Sequence, residues 1–340
     1  MTLEASAAVP ATPIDLSVII ISFNTRDVLH RCLTSLMQEI TCTPGYTTEV
    51  LVVDNNSRDN SAEMVQADFP QVQFLPSATN LGFAAANNLA IRHARGRYLV
   101  LLNSDAFLQP GSLLLAAQHM DATPAAGLGG ARLIGEDGAW QPSARSFPSP
   151  VHEMLMLTGL AAKYPHSRFF GHNDRTWADP MQPAQADWVP GAFSIIRRSV
   201  LDEVGLFDEN FFLYYEEVDL CLRIRAAGHQ IWYWPDIAVV HIGGESSRQM
   251  GDMQFSTTGS QLTLWRMRSM LLYFRKHHGP GAWLMLLLEG TFYRLRALHN
   301  RFSHREHAGH RVFFNNVMAS SLDQAWHETD GGRISPPRPW

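Results

Sequence analysis

A chain of 340 residues that is 46% hydrophobic can bury a large core, enough for one large domain with an appendage or for two modest ones. Its formal net charge of −5 excludes a protein steered as a whole to nucleic acid by a positive field, and no nucleic-acid partner is expected. The 3 cysteines, Cys32, Cys42 and Cys221, lack paired metal-ligand spacing and their odd number gives no disulfide framework, which fits a reducing cytosol.

The opening MTLEASAAVPATPIDL has an early Glu and no basic stretch followed by an apolar one, so residues 1–13 are expected to be a flexible lead and not an export signal. LSVIIIS (16–22) is apolar and β-branched throughout, as suits a strand covered on both faces of a parallel sheet. A helix follows at RDVLHRCLTSLMQEI, with Val28, Leu29, Cys32, Leu36 and Ile40 near helical spacing. EVLVVDNNS (49–57) is a second buried strand, DNSAEMVQADF a helix capped by Asp59 or Asn60, VQFLP a short strand, NLGFAAANNLAIRHARG a helix closed by Gly96, and RYLVLLNSD a strong strand. This alternation is the signature of a doubly wound α/β sheet, in which ligands bind at the carboxyl ends of the strands. Those ends are polar: Ser22, Phe23 and Asn24; Asp54, Asn55 and Asn56; Asn103, Ser104 and Asp105.

Beyond a helix from Gly111 to Asp121, GLGGARLIGEDGAW (127–140) reads as a hairpin with an Asp-Gly turn at 137–138. Residues 141–187, rich in Pro, Ser and His, have the least regular pattern and read as a long mobile insertion. WVPGAFSIIRRSVLDEVG gives a strand and a helix, and EEVDLCLRIRAAG a helix with three acids in its first turn and Gly228 as its cap. HQIWYWPDIAVVHIGGESS reads as a strand pair ending at His241. Residues 248–340 change character. Between 261 and 312 stand nine Lys or Arg against only Glu289 and Glu306, interleaved with aromatic residues. Two readings stay open for these helices: peripheral contact with an anionic membrane surface, or ordinary packing on the rest of the protein with Arg on the wet face. AWLMLLLEG is broken by Glu289 after seven apolar residues, far short of the ~20 that span a bilayer.

A dinucleotide-binding dehydrogenase would need G-x-G-x-x-G after the first strand, where SFNTRD stands instead. SVIIISFNTRDVLHRCLTSL, VVDNNSRDNS, NLGFAAANN, LLNSD, FFLYYEEVDLCLRIRAAGH and VVHIGGESS, in that order over residues 14–250, resemble the family 2 glycosyltransferases of GT-A fold, most of all the bacterial rhamnosyltransferase branch. The resemblance implies a GT-A catalytic domain at 14–247 with a mixed doubly wound sheet and a helical C-terminal extension. It implies an inverting transfer of a sugar, L-rhamnose by the branch, from a dTDP- or UDP-sugar to a hydroxyl of a glycan or lipid-linked glycan, in the cytoplasm or at the inner face of its membrane.

The same resemblance assigns site residues. A divalent cation, Mn²⁺ or Mg²⁺, would be held by Asp105 of the Asn-Ser-Asp triplet, with Ser104 beside it, and by His241. Only one member of that triplet is acidic where the family has more. Glu217 would be the base, in a position where Asp is usual, with Glu216 as its rival on the substrate side. Helix N-terminal charge is the plain alternative for Glu216 and Asp219. Asp54 would accept from N3 of uracil or thymine, Ser22, Phe23 and Asn24 would bracket the base, and Asn80, Gly82 and Asn87 would contact the donor. Trp188 and Gly191 would line the acceptor side, although core packing would also explain the tryptophan. The reduced triplet and the Glu in place of Asp keep a second class in view, a sugar-nucleotide or glycan-binding scaffold without catalysis.

Overall fold

Uninterrupted runs of β-branched residues build the centre of the sheet, because both of its faces are covered. The computed structural model describes residues 13–243, 261–303 and 307–336. All but the last residue of the expected lead, and the expected boundary at 247/248, lie outside the described residues. The first half runs β1 (Leu16–Ser22), α1 (Arg26–Thr41), β2 (Thr48–Asp54), α2 (Ser61–Asp68), β3 (Gln73–Pro76), α3 (Gly82–His93), β4 (Tyr98–Asn103), β5 (Ala106–Leu108) and α4 (Ser112–Ala122). There follow β6 (Ala126–Ile134), β7 (Trp140–Gln141), α5 (Pro150–Leu157), α6 (Leu160–Lys163), β8 (Ala184–Gln185), β9 (Phe193–Arg197), α7 (Arg198–Val204), α8 (Glu216–Ala226) and β10 (Gln230–His241). Three long helices close the chain: α9 (Gln261–His278), α10 (Gly281–Arg301) and α11 (Ala308–Glu328).

The strands form one mixed sheet in the order β3-β2-β1-β4-β9-β6-β10-β5, parallel from β3 to β4 and antiparallel where β9 and β5 join. Along β1, Leu16, Val18 and Ile20 pack into one core layer with Leu29, Leu33 and Leu36 of α1, while Ile19 packs into the opposite layer with Ala90 and Ile91 of α3 and Leu220 and Ile224 of α8. Period-two alternation is thus invisible in β1 because both alternating sets are buried.

Three local expectations change. The hairpin expected at 127–140 forms over its second half, where Leu133 and Ile134 of β6 pair antiparallel with Gln141 and Trp140 of β7 across the Asp137-Gly138 turn, while the rest of β6 is an interior strand between β9 and β10. A Cβ on Gly129 would lie 1.9 Å from the Trp234 ring, so the glycine makes room for a tryptophan. The expected strand pair after Gly228 is one strand, β10, whose register against β6 shifts between Trp234 and Ala238, around Pro235, which has no N–H to give to the ladder. The patternless 141–187 stretch holds α5, α6 and β8, fastened by bonds such as Asn173 Nδ2 to Glu153 Oε1 at 2.9 Å and the Phe147 amide to Asp187 Oδ2 at 2.9 Å.

Helix α9 follows the packed-helix reading. Trp265, Met267, Met270, Leu271, Tyr273 and Phe274 are buried, and most of these pack in one cluster with Phe211 and with Val218 of α8. Its cations meet acids of the protein: Arg268 Nε bonds Glu328 at 2.7 Å, and Lys276 Nζ bonds Asp208 at 2.7 Å. Asp219, fully buried, takes Lys276 Nζ and His277 Nε2 at 2.6 Å each and Arg223 Nε at 2.9 Å. Burial pushes its pKa up, but these three partners outweigh it and hold the carboxylate at about 2. A depressed carboxylate contributes stability above its unfolded value of 3.8, and that stability is lost as pH falls through about 2. Asp219→Asn is expected to cost about 2 kcal/mol or more at neutral pH, as urea unfolding would read it, with the deficit shrinking as pH drops below 4.

Candidate active site

The carboxyl ends of β1, β2 and β4 open on a cavity of about 350 Å³, closed on its other side by the segment before α8 and by the end of β10. Phe23, Asn80, Gly82, Ser104, Asp105, Gly191, Glu216, Glu217 and His241 all line it. Ser22, Asn24, Asp54, Asn87 and Trp188 do not. Ser22 is buried and hydrogen-bonds Thr25 at 3.0 Å, and Thr25 donates to Ser104 at 3.1 Å, a hydroxyl chain tying the end of β1 to the triplet. Asn24, at φ 52°, donates its backbone amide to the Ser57 hydroxyl at 2.9 Å and accepts on Oδ1 from the Arg58 amide at 2.8 Å, so it clasps two loops together. Asn87 caps nothing and donates to the Phe83 carbonyl one turn back at 2.9 Å. Trp188 donates to the Ser146 carbonyl at 3.0 Å under the Arg145 guanidinium, which is the packing alternative.

Asp54 stands just behind the cavity wall. One of its oxygens accepts from the Ser57 amide at 3.2 Å, and the other is buried with no hydrogen-bond partner among the described residues. Burial raises its pKa. Beside it Asn55 does what the sequence left unassigned: its Nδ2 donates to Asn80 Oδ1 at 2.9 Å and its Oδ1 accepts from the Leu81 amide at 2.7 Å. These bonds hold the turn at Asn80–Gly82 open to the cavity. Gly82 is there at φ +80°, and a Cβ would come within 2.3 Å of the Phe212 carbonyl oxygen, so only glycine fits.

Asp105 and His241 meet because β5 runs antiparallel to the end of β10, with His241 opposite Ala106 and the Ile242 amide donating to the Asp105 carbonyl at 3.0 Å. His241 Nε2 lies 3.4 Å from Asp105 Oδ1. Gln141 grips the histidine twice, its Nε2 donating to the His241 carbonyl and its Oε1 facing Nδ1, each at 2.9 Å. Assigned that way, Gln141 takes the Nδ1 proton and leaves the Nε2 lone pair turned toward the carboxylate. A carboxylate oxygen and an imidazole nitrogen at this separation fit adjacent positions around one divalent cation with bonds of about 2.1 Å. Among the described residues no cluster of three or more His, Cys, Asp or Glu is present, so such an ion would draw its other ligands from substrate and water. Gln141 lay in the stretch without pattern, and nothing in the sequence marks it.

Glu216 and Glu217 open α8, where helix N-terminal peptide dipoles favour anions. Both line the cavity, and one oxygen of each is buried without a hydrogen-bond partner among the described residues. Burial raises both pKa values. Glu216 rises far more, because the charge of Glu217 adds to its burial; Glu217 is held back by Arg145, the Gly191 amide and a hydrogen bond from Glu216. Burial and the neighbouring charge thus favour the protonated form more strongly at Glu216 than at Glu217. Tyr214 and Tyr215 precede them at φ 69° and 68°, a left-handed conformation that bulky residues avoid, and this strain aims the helix start at the cavity.

The sequence profile described as Glycosyl transferase family 2 matches residues 17–205, more than half of the chain, and so spans β1 to β9 and the triplet. The chain belongs to glycosyl transferase family 2. Within the family it is 31% identical over 208 residues to the N-acetylglucosaminyl-diphospho-decaprenol L-rhamnosyltransferase of Mycobacterium tuberculosis, an alignment covering 56% of this chain and 66% of that protein. The dTDP-rhamnosyl transferase RfbF of Shigella flexneri is 20% identical over 84% of this chain and 89% of its own length. The rhamnosyltransferase WbbL of Escherichia coli K12 is 24% identical over 57% and 70%. Among solved structures, the mannosyltransferase PcManGT of Pyrobaculum calidifontis, in complex with GDP-Man and Mn²⁺, superposes with a TM-score of 0.51 at 16% identity, over 94% of this chain and 89% of that one. GalNAc-T7 with UDP, GalNAc and Mn²⁺ does so at 0.52 and 13%, over 95% and 59%. The fold is the GT-A glycosyltransferase fold.

A carboxyl whose pKa is raised by folding leaves stability intact below its unfolded value of 4.5 and removes it as pH rises toward the folded value. Glu216→Gln carries no such proton. The variant is expected to be more stable than the wild type at pH 7, by at most about 1.4 kcal/mol for each pH unit above 4.5, with the gain vanishing near pH 4.5; denaturant titrations across pH measure it.

Proposed function

We propose that the protein is an inverting glycosyltransferase that moves a hexose from a pyrimidine nucleotide diphospho-sugar to a hydroxyl of a glycan or lipid-linked glycan. dTDP-L-rhamnose is the donor favoured by the rhamnosyltransferases among its relatives, with UDP-sugars as the nearest rivals. The observation that carries the reading is that Glu217, Asp105 and His241 line one cavity at the carboxyl ends of the strands. The setting is the cytoplasm, with peripheral contact at the inner face of the cytoplasmic membrane through the C-terminal region.

In this reading the orphaned oxygen of Asp54 accepts from N3–H of the base, and Phe23 and the Asn80–Gly82 turn hold the nucleotide. Asp105 and His241 would hold the divalent cation, Mn²⁺ or Mg²⁺, with Gln141 fixing the tautomer of the imidazole. When bound, the cation supplies positive charge to the leaving diphosphate. Glu217, anionic beside its protonated neighbour, takes the proton of the acceptor hydroxyl as that oxygen attacks the anomeric carbon from the face opposite the diphosphate. The glycosidic carbon–oxygen bond breaks, the configuration inverts, and the nucleotide diphosphate departs. Gly191 offers close approach on the acceptor side. The scaffold alternative would require the loss of the base or of the cation ligands, and the presence of Glu217, Asp105 and His241 along one cavity favours the catalytic reading over it.

Glu217→Gln is expected to lower transfer by about 10²–10⁴-fold in a sugar-transfer assay while leaving dTDP affinity within a few fold. Equal transfer by the variant would overturn the assignment of the base. By calorimetry, dTDP binding should depend on Mn²⁺ and be abolished by a chelator, and Gln141→Ala should weaken Mn²⁺ binding about tenfold or more. Indifference to the chelator would remove Asp105 and His241 as ligands.

A further inference from the structure

Helix α10 is apolar on two sides. Its inner side packs Met285, Tyr293 and Ala297 against the neighbouring helices, as any packed helix does. Its outer side presents Trp283, Leu284, Leu287, Leu295, Leu298 and Phe302, from 38% exposed at Leu284 to 79% at Phe302. Leu284, Leu287, Leu295, Leu298 and Phe302 fall at helical spacing on one stripe. An ordinary surface helix puts polar residues there. The Arg294–Asp323 pair sets α10 antiparallel to α11, which brings Phe313 and Phe314 of α11, 63% and 52% exposed, to the same end of the helical hairpin as Phe302.

Charge decides what covers this face. Of the five Arg between Gly290 and Leu322, Arg294 pairs with Asp323, while the exposed Arg296 and Arg301 beside the stripe have no ion pair among the described residues. A second copy packed on the stripe would set these cations against their own kind. No described helix is long and apolar enough to cross a membrane, so a lipid partner would be met at its surface. Leu, Phe and Trp on one side with Arg at the edges is the composition of a helix lying at the boundary between headgroups and acyl chains of an anionic leaflet.

We propose that the outer face of α10, with the adjoining end of α11, docks on an anionic lipid bilayer, Leu295, Leu298 and Phe302 entering the interface and Arg296 and Arg301 meeting phosphate headgroups. This deepens the membrane contact included in the preceding reading by naming its face and its lipid, and it stands whether or not the cavity transfers sugar.

The test is flotation of the full chain with vesicles of phosphatidylcholine alone and with vesicles that also contain phosphatidylglycerol, with dTDP binding in the presence of Mn²⁺ measured on the same samples. Binding is expected to the anionic vesicles only and to weaken with salt. The triple variant Leu295→Glu, Leu298→Glu, Phe302→Glu is expected to lose at least about tenfold in partitioning, and Arg296→Glu with Arg301→Glu a similar amount, both keeping the wild-type thermal transition. Equal partitioning of wild type and both variants, or no binding by the wild type, overturns the proposal. So does a wild-type dimer in gel filtration that the triple variant converts to monomer. Vesicle failure with intact dTDP binding sinks the docking face alone, whereas vesicle binding without dTDP binding sinks the sugar-transfer reading and leaves the face standing.

Discussion

The pairing of β5 with the last residues of β10 is the contact on which the site depends. The chain leaves β4 at Asn103, turns through Ser104 and Asp105, and immediately runs antiparallel to Val239–His241. That reversal carries a carboxylate from the fourth strand and an imidazole from the tenth to within 3.4 Å, although the two strands do not touch in the sheet. Gln141 faces Nδ1 at 2.9 Å and so fixes the orientation of the imidazole against the carboxylate.

Helix α8 shows how little the helix itself determines the charge of its acids. Glu216, Glu217 and Asp219 share one N-terminal turn and one macrodipole. Asp219 faces α9, meets Lys276 and His277 there and Arg223 on its own helix, and stays ionised down to about 2. Glu216 lines the cavity, where burial and the charge of Glu217 push its pKa up. Burial and neighbouring groups set these states, and they divide the turn into an anchoring acid and a cavity-lining pair. The two left-handed tyrosines fix which acid faces which way.

The first half of the fold was legible because β1, β2 and β4 are buried on both faces and announce themselves as apolar runs, each ending in polar residues at the binding edge. Gly129 and Gly130 make room for Trp234 and Val189 inside the sheet, a packing role that leaves no local pattern to read. In the cavity, Glu216, Glu217, Asp105 and His241, which the resemblance had grouped from separate motifs, stand along one wall. Asn24, Asn87 and Trp188 stand off the cavity and bond neighbouring chain, and an amide that clasps a loop or an indole that bonds a carbonyl looks the same in sequence as one that faces a cavity. Asn55 and Gln141 act through other residues, and that leaves no local pattern to find.

The C-terminal helices differ from the rest in composition but not in packing. Phe211 and Val218, on the segment that closes the cavity, belong to the same buried cluster as Met270, Leu271 and Phe274 of α9. Tyr215, held in its left-handed conformation just before the acidic pair, lies with its ring 5.3 Å from that of Tyr273, and Ser269 donates to the Leu213 carbonyl at 2.8 Å. Without α9 the Tyr215 ring and the Leu213 carbonyl would lose these partners at the strained start of α8. The change of charge and aromatic content near residue 248 therefore marks a change of task along the chain, while the wall of the cavity is built from both sides of it.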